Sequence, residues 1–78
     1  MVRLRSWSVS GDVYSAYVEL CGHPLFPASW NSKTKALTLN TQLSLGDYAS
    51  VVQAFARLKV ESKKGKTSPG GDFVVAWG

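Results

Sequence analysis

Residues 2–21, VRLRSWSVSGDVYSAYVELC, decide the fold, because two strand-like runs flank a turn signal. Residues 2–9 alternate strongly between side-chain types, and residues 13–21 are rich in β-branched and aromatic residues, as is typical of strands. Between them, residues 10–12 read Ser-Gly-Asp, a composition that favours a tight turn. The stretch therefore predicts an antiparallel β-hairpin.

The length of the hairpin loop decides which side chains share a face of this hairpin. A three-residue loop would place Leu4 opposite Val18, whereas a two-residue loop would mix apolar and polar side chains on each face. With the three-residue loop, the apolar face holds Val2, Leu4, Tyr14, Ala16, Val18 and Leu20. The other face holds Arg3, Arg5, Trp7, Ser15, Tyr17 and Glu19.

Three further stretches have strand-like patterns. Residues 25–30 form a short extended run in which Pro27 predicts an edge position, because proline has no backbone N–H to donate. Residues 35–41, KALTLNT, alternate and are predicted to form a strand. Residues 73–77, FVVAW, are predicted to form a last strand that returns to the sheet.

One helix is predicted over residues 45–59. Ser44 is placed to cap its first amides, and Asp47 occupies the reciprocal position of a capping box. Apolar side chains then recur at spacings of three and four, which indicates one buried face. These are Tyr48, Val51, Val52, Phe55 and Leu58.

The order of elements predicts a small α+β fold. We expect a single-layer antiparallel sheet of four to five strands, β-β-(β)-β-α-β, packed against the one amphipathic helix. Residues 1–78 are predicted to be one domain, because a chain of 78 residues has room for one core. Residues 61–72 contain no apolar side chain and combine lysines with glycines, so they are predicted to be a flexible basic loop.

Composition narrows the function classes. The chain has a net charge of +4, which favours polyanionic partners. The N-terminus lacks the apolar run of a signal peptide, and the apolar run at 73–77 is far too short to span a bilayer, so we expect no membrane partner. Cys21 is the only cysteine, which excludes an intramolecular disulfide and favours a cytoplasmic location.

The chain has few groups that could carry out catalysis. His23 is the only histidine, and Cys21 is interpreted as a buried residue at a strand end with His23 exposed in a turn. One cysteine and one histidine cannot form a structural zinc centre. The Gly65-Lys66-Thr67 ending resembles that of a phosphate-binding loop, but Val60 stands where the motif needs its first glycine. We therefore expect no enzymatic activity, no cofactor, no metal and no small-molecule substrate.

Cations and rings on the non-core face of the hairpin predict a binding surface instead. Rings stack on unpaired bases, and arginines and lysines contact phosphates, so a nucleic-acid-binding accessory protein for single-stranded DNA or RNA is expected. The candidate residues are Arg3, Arg5, Trp7, Tyr17, Lys63, Lys64 and Lys66. Two purely structural explanations compete. In one, Arg5 stacks on Tyr17 and Arg3 pairs with Glu19, and in the other the helix or a second copy covers this face.

The same residue types also favour protein–protein binding. Nine aromatic residues are more than one helix-on-sheet core is expected to bury, and an edge strand at 25–30 would permit dimerisation. The alternative hypotheses are therefore a protein-interaction module or inhibitor, such as the anti-defence proteins that phages and mobile elements encode, and a homo-oligomeric assembly subunit.

Overall fold

The computed structural model describes residues 1–75 of the chain, and residues 76–78 lie outside the described part. Its elements are β1 (Val2–Ser10), β2 (Val13–Leu20), β3 (Phe26–Asn31), β4 (Leu37–Leu39), α1 (Leu45–Lys63) and β5 (Phe73–Val75). The strands form one antiparallel sheet in the order β4-β3-β2-β1-β5. This confirms the predicted α+β class and element order. Of the predicted strand at 73–77, residues 73–75 are observed as β5, and residues 76 and 77 lie outside the described part.

The β1–β2 hairpin has the predicted pairing at its open end but not at its turn. Leu4 lies opposite Val18, as the sequence predicts. Near the turn, however, Ser10 pairs with Val13, so the loop has two residues and the three-residue prediction is wrong. A bulge within residues 5–8 of β1 absorbs the one-residue difference.

β3 lies inside the sheet, so the prediction that residues 25–30 form an edge strand is wrong. It pairs with β2 on one side and with β4 on the other. Pro27 is tolerated there because β4 has only three residues and its pairing with β3 begins at Ala28, which leaves Pro27 outside that ladder. The two edges of the sheet are β4 and β5.

Helix α1 begins where its cap predicts and ends later than expected. The Ser44 hydroxyl accepts a hydrogen bond from the backbone N–H of Asp47 at 3.2 Å, which satisfies one free amide of the first turn. The predicted end at residue 59 is wrong, because the helix continues to Lys63. Gly65, with φ of +76°, is the first residue beyond it in the left-handed region. Residues 61–63 are therefore helical, and the following loop is shorter than predicted.

The core lies between α1 and one face of the sheet. The helix packs against β1, β2 and β5 and buries Val51, Ala54, Phe55 and Leu58. Tyr48, predicted for the same face, is instead 40% exposed. In the described residues, no helix has the length and hydropathy required to cross a membrane.

Aromatic side chains fill much of this core. Trp7, Tyr14, Trp30 and Phe55 follow one another with ring centroids 6.2–6.3 Å apart, a spacing at which aromatic pairs attract. Phe26 is buried as well, so five aromatic residues within residues 1–75 lie in the core. The surplus of exposed rings that the composition indicated is therefore smaller than expected, and these residues favour an interface less strongly.

Candidate nucleic-acid interface

The outer face of the sheet is the surface opposite α1. Because the helix packs on the apolar face, the outer face is not covered by any element of the described chain. Arg3, Arg5, Tyr17 and Glu19 lie on it, as the sequence predicts, and Tyr17 is 51% exposed. The structural explanation in which the helix covers this face is therefore wrong.

Trp7 does not belong to the outer face, so its predicted place there is wrong. Ser6 adopts a φ of +51°, and the bulge at this point turns the next side chain towards the helix. Trp7 is 1% exposed, and its indole Nε1 donates to the Thr67 hydroxyl at 3.0 Å. Burying an indole of about 150–250 Å² at about 25 cal/mol per Å² contributes about 4–6 kcal/mol. That gain exceeds the roughly 1–3 kcal/mol that a left-handed Ser6 costs.

The two arginines of the outer face are balanced by carboxylates. Glu19 lies 3.9 Å from Arg3 and 3.7 Å from Arg5, and Asp72 lies 3.8 Å from the Arg5 Nε. These side chains are more than a third exposed, so each pair contributes at most about 1 kcal/mol. The predicted Arg3–Glu19 pair is present, whereas Arg5 is directed to carboxylates. The outer face thus carries no net charge from these four groups.

Small hydroxyl side chains form the middle of the outer face. Ser8, Ser15, Ser29 and Thr38 lie directly opposite one another on four successive strands. The hydroxyls of Ser15 and Ser29 are 3.2 Å apart and share a hydrogen bond. A shallow depression of about 270 Å³ lies over this region, with Tyr17 and Pro27 in its lining. The result is a flat polar floor beside one exposed ring.

The net charge of the chain lies elsewhere, in residues 57–66, which we call the basic segment. Five of the nine Lys and Arg residues fall in it with one acidic residue, so the segment carries +4. The other four cations are balanced by four acidic residues, so the remainder of the chain is neutral. The cations of the basic segment are Arg57, Lys59, Lys63, Lys64 and Lys66.

The basic segment consists of the last turns of α1 and the residues that follow it. Lys63 ends the helix and Lys64 caps it, which places both charges at the negative end of the helix dipole. Both side chains are exposed, and neither takes part in an ion pair among residues 1–75. Lys66 pairs with Glu61 at 3.8 Å. The three lysines predicted to be binding residues therefore lie together at the C-terminal end of the helix.

The loop after the basic segment is hydrogen-bonded to β1. The backbone of Trp7 donates to the carbonyl of Gly71 at 3.1 Å and accepts from the N–H of Gly70 at 2.7 Å. With the indole bond to Thr67 and a bond from the Ser6 amide to Asp72, this loop meets the bulge at several points. The bulge therefore fixes the position of the chain between the basic segment and β5.

A groove separates the C-terminal half of α1 from the edge strand β5. Its volume is about 340 Å³, and its lining comprises Arg57, Glu61, Lys66, Phe73, Val74 and Val75. Arg57 is not among the binding residues predicted from the sequence, because a basic residue near the end of a helix is already explained by the helix dipole. A count of charge by segment, rather than over the whole chain, would have drawn attention to Arg57.

Cys21 and His23, the candidate catalytic groups, lie at the turn between β2 and β3. Cys21, predicted to be buried, is exposed, so that prediction is wrong. His23 is half-buried, and its Nε2 lies 3.2 Å from Asp47 Oδ2, which ties the β2–β3 turn to the start of α1. Among the described residues, no three His, Cys, Asp or Glu side chains lie close enough to hold a metal ion.

Comparison with protein-family models, with curated proteins and with solved structures finds no match for this chain.

Proposed function

We propose that the protein is a non-enzymatic nucleic-acid-binding protein that prefers single-stranded DNA or RNA and works in the cytoplasm. The observation that carries this proposal is the concentration of the whole net charge of +4 in the basic segment. A cluster of cations displaces the counterions of a phosphate backbone, and that release is the main source of affinity for nucleic acid.

The outer face supports the preference for single strands. It offers an exposed ring, Tyr17, beside a floor of small hydroxyl side chains on which an extended strand can lie. Stacking on such a ring contributes about 1–3 kcal/mol per base and requires an unpaired base. Because Arg3 and Arg5 are paired with carboxylates, their pairing supports phosphate contacts by the basic segment and stacking on the outer face.

The engagement of the carboxylates supports binding rather than catalysis. Glu19, Glu61 and Asp72 pair with cations, and Asp47 bonds to His23. A general acid or base needs a carboxylate aimed into a site that a substrate enters. In this chain, four of the five acidic residues balance a neighbouring group.

Titration of a fluorescent single-stranded oligonucleotide, followed by anisotropy, tests the proposal. Four neutralised phosphates at about 0.7 each predict a slope of about −2.8 for log affinity against log salt concentration. A duplex of the same sequence should bind more weakly, and polyglutamate of the same charge serves as a control for unspecific polyanion binding. Absence of binding at 50 mM salt with about 100 μM protein would refute the proposal.

A second candidate function, a protein-interaction module or inhibitor, is favoured by apolar side chains at the other end of α1. The His23–Asp47 contact brings the β2–β3 turn against the start of the helix, and both carry exposed apolar side chains. Leu25 and Leu45 are the clearest, and Leu45 is 87% exposed. Capture of one stoichiometric protein after nuclease treatment, lost in a Leu25→Ser/Leu45→Ser variant, would favour this function. A homodimer would instead appear as doubled mass in light scattering.

A further inference from the structure

The groove between α1 and β5 combines cations with a free strand edge. Among residues 1–75, β5 pairs only with β1, so part of its backbone N–H groups point away from the sheet. On the helix side, Arg57 and Lys66 are exposed, and the Lys66 side chain is 68% accessible. Backbone amides and a guanidinium are the groups that bind phosphate oxygens in proteins.

Helical spacing lines up further charge beside this groove. Arg57, Glu61 and Lys64 are separated by four and three residues, so they share one flank of the last turns. Lys59 and Lys63 share the opposite flank, because each lies about 200° around the helix from Arg57 or Glu61. The flank that faces β5 is therefore a line of cations interrupted by one carboxylate.

Glu61 is the only acidic residue of the basic segment and lines the groove. Its carboxylate lies 3.8 Å from Lys66 Nζ, and the backbone N–H of Lys66 donates to the Glu61 carbonyl at 3.1 Å. The tight turn after α1 thus holds Lys66 over Glu61. A carboxylate and a phosphodiester carry the same single negative charge, so a phosphate can take the place of the carboxylate beside Lys66.

We propose that this groove holds a backbone phosphate of the bound strand, contacted by Arg57 and Lys66, and that Glu61 is the internal anion that the phosphate displaces. The inference rests on the proposed nucleic-acid binding. It adds the location of one phosphate contact and an internal carboxylate that competes for the same cation. Because Glu61 is paired with Lys66 in the free protein, it lowers the affinity of the groove for the strand.

A phosphate backbone fits the groove better than an acidic peptide does. The cationic flank continues past the groove to Lys64, so a ligand with regularly repeated charge gains contacts along its length. An acidic peptide would bind the groove through carboxylates alone. Competition with polyglutamate tests whether such a peptide is the ligand.

A pair of matched variants tests the inference. Glu61→Gln removes the carboxylate from the groove, and Glu19→Gln removes the carboxylate that balances Arg3 and Arg5 on the outer face. Both variants raise the net charge to +5. They differ only in whether the carboxylate partner is removed from a cation of the groove or from the arginines of the outer face. In wild type the displaced Glu61 carboxylate takes up a counterion, so the glutamine variant releases one more counterion on binding. Over the 20-fold range from 1 M down to 50 mM salt, this corresponds to about 8-fold tighter binding at 50 mM and to a slope steeper by about 0.7.

We expect Glu61→Gln to bind single-stranded oligonucleotide about 8-fold more tightly than wild type, and Glu19→Gln to change affinity less than about twofold. Arg57→Gln should lose about as much as Glu61→Gln gains. Circular dichroism checks that each variant folds, and Glu and Gln have nearly equal helix propensities.

The outcomes separate the two proposals. Equal tightening in both glutamine variants would show a response to net charge alone and overturn the groove. A larger gain in oligonucleotide affinity for Glu19→Gln than for Glu61→Gln would show that the phosphate contact lies on the outer face, not in the groove. If polyglutamate displaces the oligonucleotide at equal charge concentration, the groove binds carboxylates rather than phosphodiesters. Wild-type protein that binds nothing at low salt would instead refute the proposed function itself.

Discussion

Replacing Lys63 and Lys64 with glutamine removes two of the five cations of the basic segment without breaking an ion pair among residues 1–75. If each lysine meets one phosphate of a single strand, the salt slope should fall from about −2.8 to about −1.4. Over the 20-fold range between 50 mM and 1 M salt, that difference is about a 65-fold loss of affinity at 50 mM. Lysine and glutamine have similar helix propensities, so the fold should be unchanged.

The matched control is Arg3→Gln/Arg5→Gln, which lowers the net charge by the same two units on the outer face. Because Glu19 and Asp72 already balance these arginines, we expect less than about a threefold loss, with the slope unchanged. Both variants are measured by anisotropy at four or more salt concentrations. An arginine variant that loses as much affinity as the lysine variant would show that net charge, and not its location, controls binding, and would refute the reasoning.

Two further predictions follow from the burial of the aromatic side chains. Trp7→Ala should lower the free energy of unfolding in urea by about 3–5 kcal/mol, because it removes a buried indole and its bond to Thr67; a loss below 1 kcal/mol would contradict the core position of Trp7. Tyr17→Ala should leave stability within about 0.5 kcal/mol but weaken single-strand binding by about 1–3 kcal/mol, with little effect on a duplex. Equal losses on both nucleic acids would argue against stacking on Tyr17.

The helix illustrates what a local pattern can predict. Its start follows from Ser44, whose hydroxyl needs only the amide three residues later, and that contact is present. Its end could not be read from hydrophobic spacing, because the last turn contains the polar residues Glu61 and Lys63, which are good helix formers. The chain leaves the helix near Gly65, at a positive φ that glycine adopts at little cost.

The candidate site was predictable in part. The arginines and Tyr17 lie on the predicted face because the two-residue period holds from Val2 to Arg5. That period fails at Ser6, where a bulge moves the following side chain to the other face. The adjacent polar residues Arg5 and Ser6 mark this change of phase in the sequence, but the prediction treated residues 2–9 as one regular strand. The groove was missed for a different reason, since it joins Arg57 to β5 across a loop.

The sequence by itself determined the α+β class, the hairpin, the start of the helix and the concentration of positive charge in residues 57–66. Each of these depends on neighbours within a few residues, through side-chain periodicity, capping or charge count. Tertiary structure alone decided which groups surround Trp7, that β3 is interior and that the outer arginines are balanced. Those outcomes depend on contacts between distant residues, such as the Trp7–Thr67 bond across 60 positions and the Arg5–Asp72 pair. No local pattern encodes such contacts, because their free energy appears only when the whole sheet and helix are packed.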